Sequence, residues 1–184
     1  MSGLSVLLVR HGQTALNAQD RLRGLADPEL DEVGVAQARA TASAVRSFGL
    51  VRVLSSPLQR AVLTATIIAE ASGVDHAVDP DFNDRDYGQW TGHVRADVIR
   101  EWGSVDAAPG VEPREAVLDR VLPALRRLAA GVTPVAVVTH DAVIRPILEH
   151  IQPGIGATVP TASWAELACD DGVWAVISSD NTAQ

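Results

Sequence analysis

Short apolar runs alternate along this chain with longer stretches in which apolar positions recur every three or four residues. Ser5 to Arg10 is such a run, closed by Gly12, and predicts a buried strand. From Leu30 to Phe48 an Ala-rich segment places apolar residues at Val33, Ala36, Ala40, Ala44 and Val45, a helical spacing. Asp31 or Asp27 can cap this helix, and Gly49 stops it. Val51 to Leu54 predicts a second strand, ended by Ser55-Ser56-Pro57, and Leu58 to Ala71 a helix with Gly73 as terminator. Arg95 to Trp102 and Glu112 to Ala130 predict two more helices across the loop Gly103 to Val111. Pro123 predicts a kink in the second, or its division into two pieces.

Pro134 to Thr139 is the clearest strand, β-branched and followed by His140. Val143 to Ile151 then reads as a helix, even with Pro146 in its first turns. Trp164 to Ala168 and Val173 to Ser178 flank Asp170-Asp171-Gly172, a hairpin signal. Buried strands alternating with helices predict an α/β fold: a three-layer α/β/α sandwich whose central sheet is mostly parallel, with a C-terminal antiparallel hairpin. Residues 1–184 are expected to form a single domain, since the length supports one core and not two. Ligands in such sheets gather beyond the strand C-termini. His11 and His140 each follow a strand directly.

Composition narrows the function. Fifteen basic against 23 acidic residues give a net charge of −8, which argues against nucleic acid as a partner. Every basic residue is Arg, so no Lys is present to grip phosphate as in a Walker A loop. Cys169 is the single Cys; it excludes an internal disulfide and a Cys-based metal cluster, and with no basic neighbour it reads as a packed thiol. No apolar run approaches the roughly 20 residues of a membrane span. Arg10 interrupts the stretch from Leu4 to Val9 too early for a signal peptide, so a cytoplasmic protein is expected. Taken singly, a His after a strand is more often an ordinary loop residue than a catalyst, and an Arg at a helix start is usually solvated.

The local words change that balance. Arg10-His11-Gly12-Gln13-Thr14, with Asn17 five residues beyond the Gly, resembles the opening signature of the histidine phosphatase superfamily, the phosphoglycerate-mutase-like enzymes. Four further words follow in the family's order. Leu30-Asp31-Glu32-Val33-Gly34 with Gln37-Ala38 resembles its first helix, and Ser55-Ser56-Pro57-Leu58-Gln59-Arg60-Ala61 its Arg-bearing segment. Tyr87-Gly88-Gln89-Trp90-Thr91-Gly92 is similar to its aromatic-Gly word, and Val137-Val138-Thr139-His140 to the strand carrying its second His. The resemblance runs from Leu4 to the final hairpin.

It implies a phosphomonoesterase. Arg10 and Arg60 would supply forked, permanently charged donors to phosphoryl oxygens. His11 would be the nucleophile, forming a phosphohistidine that water hydrolyses. Its attacking nitrogen must be bare, so the other should donate to a backbone carbonyl. His140 would be a charged donor to the transferred group, and Asn17 a neutral one. Neither a metal nor another cofactor is implied, and the expected partner is a small phosphorylated metabolite, with no membrane or nucleic acid.

Four departures bear on mechanism. The family's usual Glu is here Asp84, one methylene or roughly 1.5 Å shorter; Asp84 is still the expected general acid. Asp141 ranks second, because His140-Asp141 resembles the His-Asp pair of the acid-phosphatase branch; its other reading is a cap for the helix at Val143. Arg23 stands where phosphatase relatives often carry Gln, and is not expected to touch substrate. Asp84-Arg85-Asp86-Tyr87-Gly88 echoes the cofactor-dependent mutases, but the chain lacks their Lys-bearing insertion, with only Gly92 to Arg114 in its place. Mutase is therefore the enzymatic alternative, and a catalytically weak phosphate-binding or regulatory member the non-enzymatic one. His76, His93 and His150 sit in helices or loops without a matching motif and receive no role.

Overall fold

The computed structural model describes residues 6–183. Ser5 and Leu4, at the start of the predicted first strand, lie outside the described residues. In chain order the elements are β1 (Val6–Arg10), α1 (Ala15–Ala18), α2 (Glu32–Val45), β2 (Arg52–Ser55), α3 (Gln59–Ser72), β3 (His76–Val78), α4 (Arg95–Trp102), α5 (Arg114–Ala129), β4 (Val135–Thr139), α6 (Asp141–Ile151), β5 (Trp164–Asp170) and β6 (Val173–Asn181). The strands form one sheet in the order β3-β2-β4-β1-β5-β6. β3, β2, β4 and β1 run parallel; β5 and β6 are antiparallel additions on the far edge.

β1 and β4 are apolar at every core position because both faces of the sheet are covered. Val6, Leu8, Val135 and Val137 point to one face, where α5 and α6 present Val117, Val121, Leu125, Ile144, Ile147 and Leu148. Leu7, Val9, Ala136 and Val138 point to the other, against Ala42 and Val45 of α2 and Ala61, Ala65 and Ile68 of α3. The fold is thus the expected three-layer sandwich. Each fully buried Val or Leu contributes about 1.5–3 kcal/mol, so these two layers supply the bulk of the driving force. A smaller cluster of Leu22, Tyr87, Trp90, Val98 and Ala108 binds the long loops to α4.

Local signals set most boundaries. Asp31, not Asp27, caps α2, its Oδ1 accepting from Gly34 N at 2.8 Å. Asp27 instead accepts from Gln59 N at the start of α3. The hairpin turns at Asp171 and Gly172, both with positive φ, the handedness that matches strand twist. Three expectations need correction. The division of α5 at Pro123 does not occur: it is one helix through that residue, which lies on its exposed side, where solvent can pair the carbonyl that the ring leaves free. β3 was not anticipated, and it places His76 on a strand, with Nε2 2.8 Å from Ser55 Oγ. Asp141 is the first residue of α6, whose cap position is His140; no side-chain cap is made there.

Candidate active site

β1 and β4 end level with each other, Arg10 opposite Thr139, so His11 and His140 leave the sheet side by side. His11 N donates to Thr139 O at 3.1 Å, and the two imidazole centroids are 5.1 Å apart. The turn after His11 passes hard against α2. A Cβ on Gly12 would lie 2.3 Å from Gly34 O, and one on Gly34 would lie 2.0 Å from Gln13 O. Two of the sequence words therefore meet, backbone to backbone, and only glycine fits at either position. Gly12 N donates to Thr64 Oγ1 at 3.2 Å, which ties the same turn to α3.

His11 Nδ1 stands 2.6 Å from Gly12 O, so it donates and carries the ring proton. Nε2 is then bare, buried and without a hydrogen-bond partner. Burial, His140, Arg60, Arg10 and Arg23 hold this imidazole well below its ordinary pKa, so it is neutral. His140 departs from expectation. Burial first, then Arg60, Arg23, Arg10 and Arg120, hold it well below its ordinary value too, which favours the uncharged ring. Its Nε2 is 2.8 Å from Ser56 Oγ, while Nδ1 is buried, 3.4 Å from Asp84 Oδ2.

Arg60 is fully buried, reaching in from the first turn of α3. Its Nη1 donates to Ala26 O at 2.7 Å; its Nη2 donates to Gly24 O at 2.9 Å and to Asp84 Oδ2 at 2.8 Å. Arg10 donates from Nη1 to Val159 O at 2.7 Å. The Nε atoms of Arg10, Arg23 and Arg60 are buried without partners. Asn17 forms a capping box with Thr14: its Oδ1 accepts from Thr14 N and Oγ1, which leaves Nδ2 as the donor it can offer.

The two carboxylates differ sharply. Burial raises the Asp84 carboxyl above its ordinary pKa against the opposing pull of Arg60. Burial would raise Asp141 as well, but Arg10, Arg23 and Arg145 overcome it and hold that group well below the carboxylate range. Asp141 Oδ1 accepts from Arg23 Nη2 at 3.0 Å and lies 3.7 Å from Arg10 Nη2; Oδ2 accepts from Arg145 Nη2 at 2.9 Å. Asp141 is thus an ionised counter-ion to an arginine cluster, whereas burial shifts Asp84 towards its protonated form. Beside Asp141 opens a cavity of about 580 Å³, with Leu22, Tyr87, Arg95, Ala142 and Arg145 in its walls.

Sequence reasoning left out Ser56, Arg145 and the backbone partner Val159. Ser56 lay inside a quoted word; Arg145 is one helical turn after Asp141. Val159 had no local signal. Among the described residues no group of three or more His, Cys, Asp or Glu is placed to hold a metal ion.

Residues 6–182 match the sequence model of the histidine phosphatase superfamily, branch 1. A bifunctional protein of Mycobacterium tuberculosis is 38% identical over 155 residues, 78% of this chain and 43% of that protein. The chain thus spans less than half the length of this relative. An uncharacterized phosphatase of Bacillus subtilis, PhoE, is 34% identical over 152 residues, 82% of this chain and 78% of its own. Among solved structures, the mycobacterial glucosyl-3-phosphoglycerate phosphatase in complex with VO3 superposes with a TM-score of 0.87. It is 26% identical and covers 98% of this chain and 100% of its own.

Proposed function

The chain belongs to the histidine phosphatase superfamily, branch 1, and on that premise we propose that it hydrolyses small phosphomonoesters through a phosphohistidine on His11. The observation that carries this reading is the His11 tautomer. With its proton fixed on Nδ1 by Gly12 O, the ring keeps a bare, buried Nε2 within the field of Arg60, Arg10 and Arg23. Nε2 attacks phosphorus in line, the P–O bond to the alcohol breaks, and protonated Asp84 delivers its proton to the leaving oxygen. Asp84, now a carboxylate, takes a proton from the water that attacks phospho-His11, which releases phosphate and restores both groups. The buried Arg60–Asp84 bond at 2.8 Å couples grip and acid: the same guanidinium that faces phosphate orients the proton donor.

Arg10, Arg60 and Asn17 bind the phosphoryl oxygens in this scheme. His140 assists as an uncharged imidazole, anchored by the 2.8 Å contact between its Nε2 and Ser56 Oγ. The leaving group occupies the 580 Å³ cavity, whose mixture of apolar walls and Arg side chains suits a polar metabolite of several heavy atoms. No step uses a metal.

Phosphate release from a panel of phosphomonoesters in EDTA tests the proposal, with wild type compared against His11→Ala. The expected result is release by wild type alone, and acid-labile label trapped on wild type from a radiolabelled substrate. Loss of turnover in EDTA, or equal release by His11→Ala, would overturn it. Phosphate retained among organic products, dependent on a bisphosphate primer, would instead mean a mutase.

A further inference from the structure

The loop between α6 and β5 holds Val159, a buried β-branched residue, at φ +49°. L-residues avoid this left-handed region, branched ones most strongly, so something must impose it. The agent is Asp180, near the end of β6. Its Oδ1 accepts from Val159 N at 2.7 Å, and its Oδ2 accepts from Thr158 N at 2.9 Å and from Thr158 Oγ1 at 3.2 Å. One carboxylate thus takes two successive backbone N–H groups and a hydroxyl. With its N–H fixed, Val159 turns its carbonyl to Arg10, accepting from Nη1 at 2.7 Å. That bond occupies one side of the guanidinium, while Nε is buried with no partner.

We propose that Asp180 is a positioning residue for phosphate binding, acting through the Val159 carbonyl to aim Arg10. The proposal rests on the reading of Arg10 as a phosphate ligand. It makes a loop bond on the antiparallel edge of the sheet part of the phosphate grip. Without the Asp180 clamp Val159 relaxes to an ordinary φ, its carbonyl leaves Arg10, and the guanidinium swings towards Asp141, 3.7 Å away.

A double-mutant cycle tests this, with inorganic phosphate affinity read by calorimetry and KM and kcat read on one substrate. Asp180→Ala should weaken phosphate binding and raise KM about tenfold, with a smaller change in kcat. Asp180→Asn, which keeps one acceptor oxygen, should lose less than the alanine variant, and carries the test if Asp180→Ala does not fold. In an Arg10→Ala background either substitution should change phosphate affinity less than twofold. The same loss with and without Arg10 would overturn the proposal, as would a lowered Tm with phosphate affinity intact. If Arg10→Ala itself leaves phosphate affinity unchanged, the ligand role of Arg10 fails, and with it the premise.

Discussion

Asp84 and Asp141 are both buried carboxylates near the two histidines, and arginine count separates them. Asp141 faces three guanidiniums and keeps its charge; Asp84 is held chiefly by Arg60, which does not offset its burial. A general acid must hold a proton before it can give one, so Asp84→Asn should lower kcat by about 10²–10⁴-fold on alkyl phosphates. On p-nitrophenyl phosphate, whose leaving group needs little protonation, the loss should be far smaller. Asp141→Asn should show no such dependence on leaving group. A steady-state comparison of both variants on both substrates decides the matter: equal losses for Asp84→Asn would remove it as the acid. Arg23 belongs to the same cluster. Not expected to touch substrate, it lies buried and bonded to Asp141.

At the scale of elements, the functional words are contact surfaces. Gly34 is part of the α2 word because α2 must touch the turn carrying His11. Gly34→Ala should therefore cost about 1–3 kcal/mol of stability by overpacking, and should also depress kcat/KM by displacing His11. Denaturant unfolding and kinetics on one preparation check both; a normal kcat/KM would show that the turn does not depend on this contact. This explains how much was legible in sequence. Strands covered on both faces write continuous apolar runs, and the residues just past their ends mark the site, so β1, β4, His11 and His140 could be placed. β3 could not, because it is three residues long and largely exposed, and its apolar signal is weak. The Asp180–Val159–Arg10 chain was invisible for another reason: its members are separated by 21 and 149 positions, and its crucial property is a φ angle.

The whole molecule buries two neutral imidazoles, and its acid stability should record them. Unfolded histidine takes up a proton near pH 6.5, while native His11 and His140 resist it. Below pH 6.5 the unfolded chain therefore binds more protons, and stability falls as pH falls, by up to about 1.4 kcal/mol per pH unit for each histidine. Asp84 acts in the opposite sense. Its raised native pKa stabilises the fold as the pH drops through that value. Urea unfolding at pH 7.5, 6.5 and 5.5 should show the decline, and His140→Asn should flatten it; an unchanged slope in that variant would mean that His140 is protonated in the native state. The order of the strands has a consequence for how activity arises during synthesis. β1 is made before both of its neighbours in the sheet, β4 and β5, which lie more than 120 positions later. Such non-local pairing is slow to form. Between the synthesis of β1 and that of β4 the nascent chain carries His11 without His140, and without the loop that braces Arg10. The pocket is therefore completed only once β4 and the loop after α6 are made, and a ribosome stalled before β4 holds a chain with the family's opening signature and no second histidine.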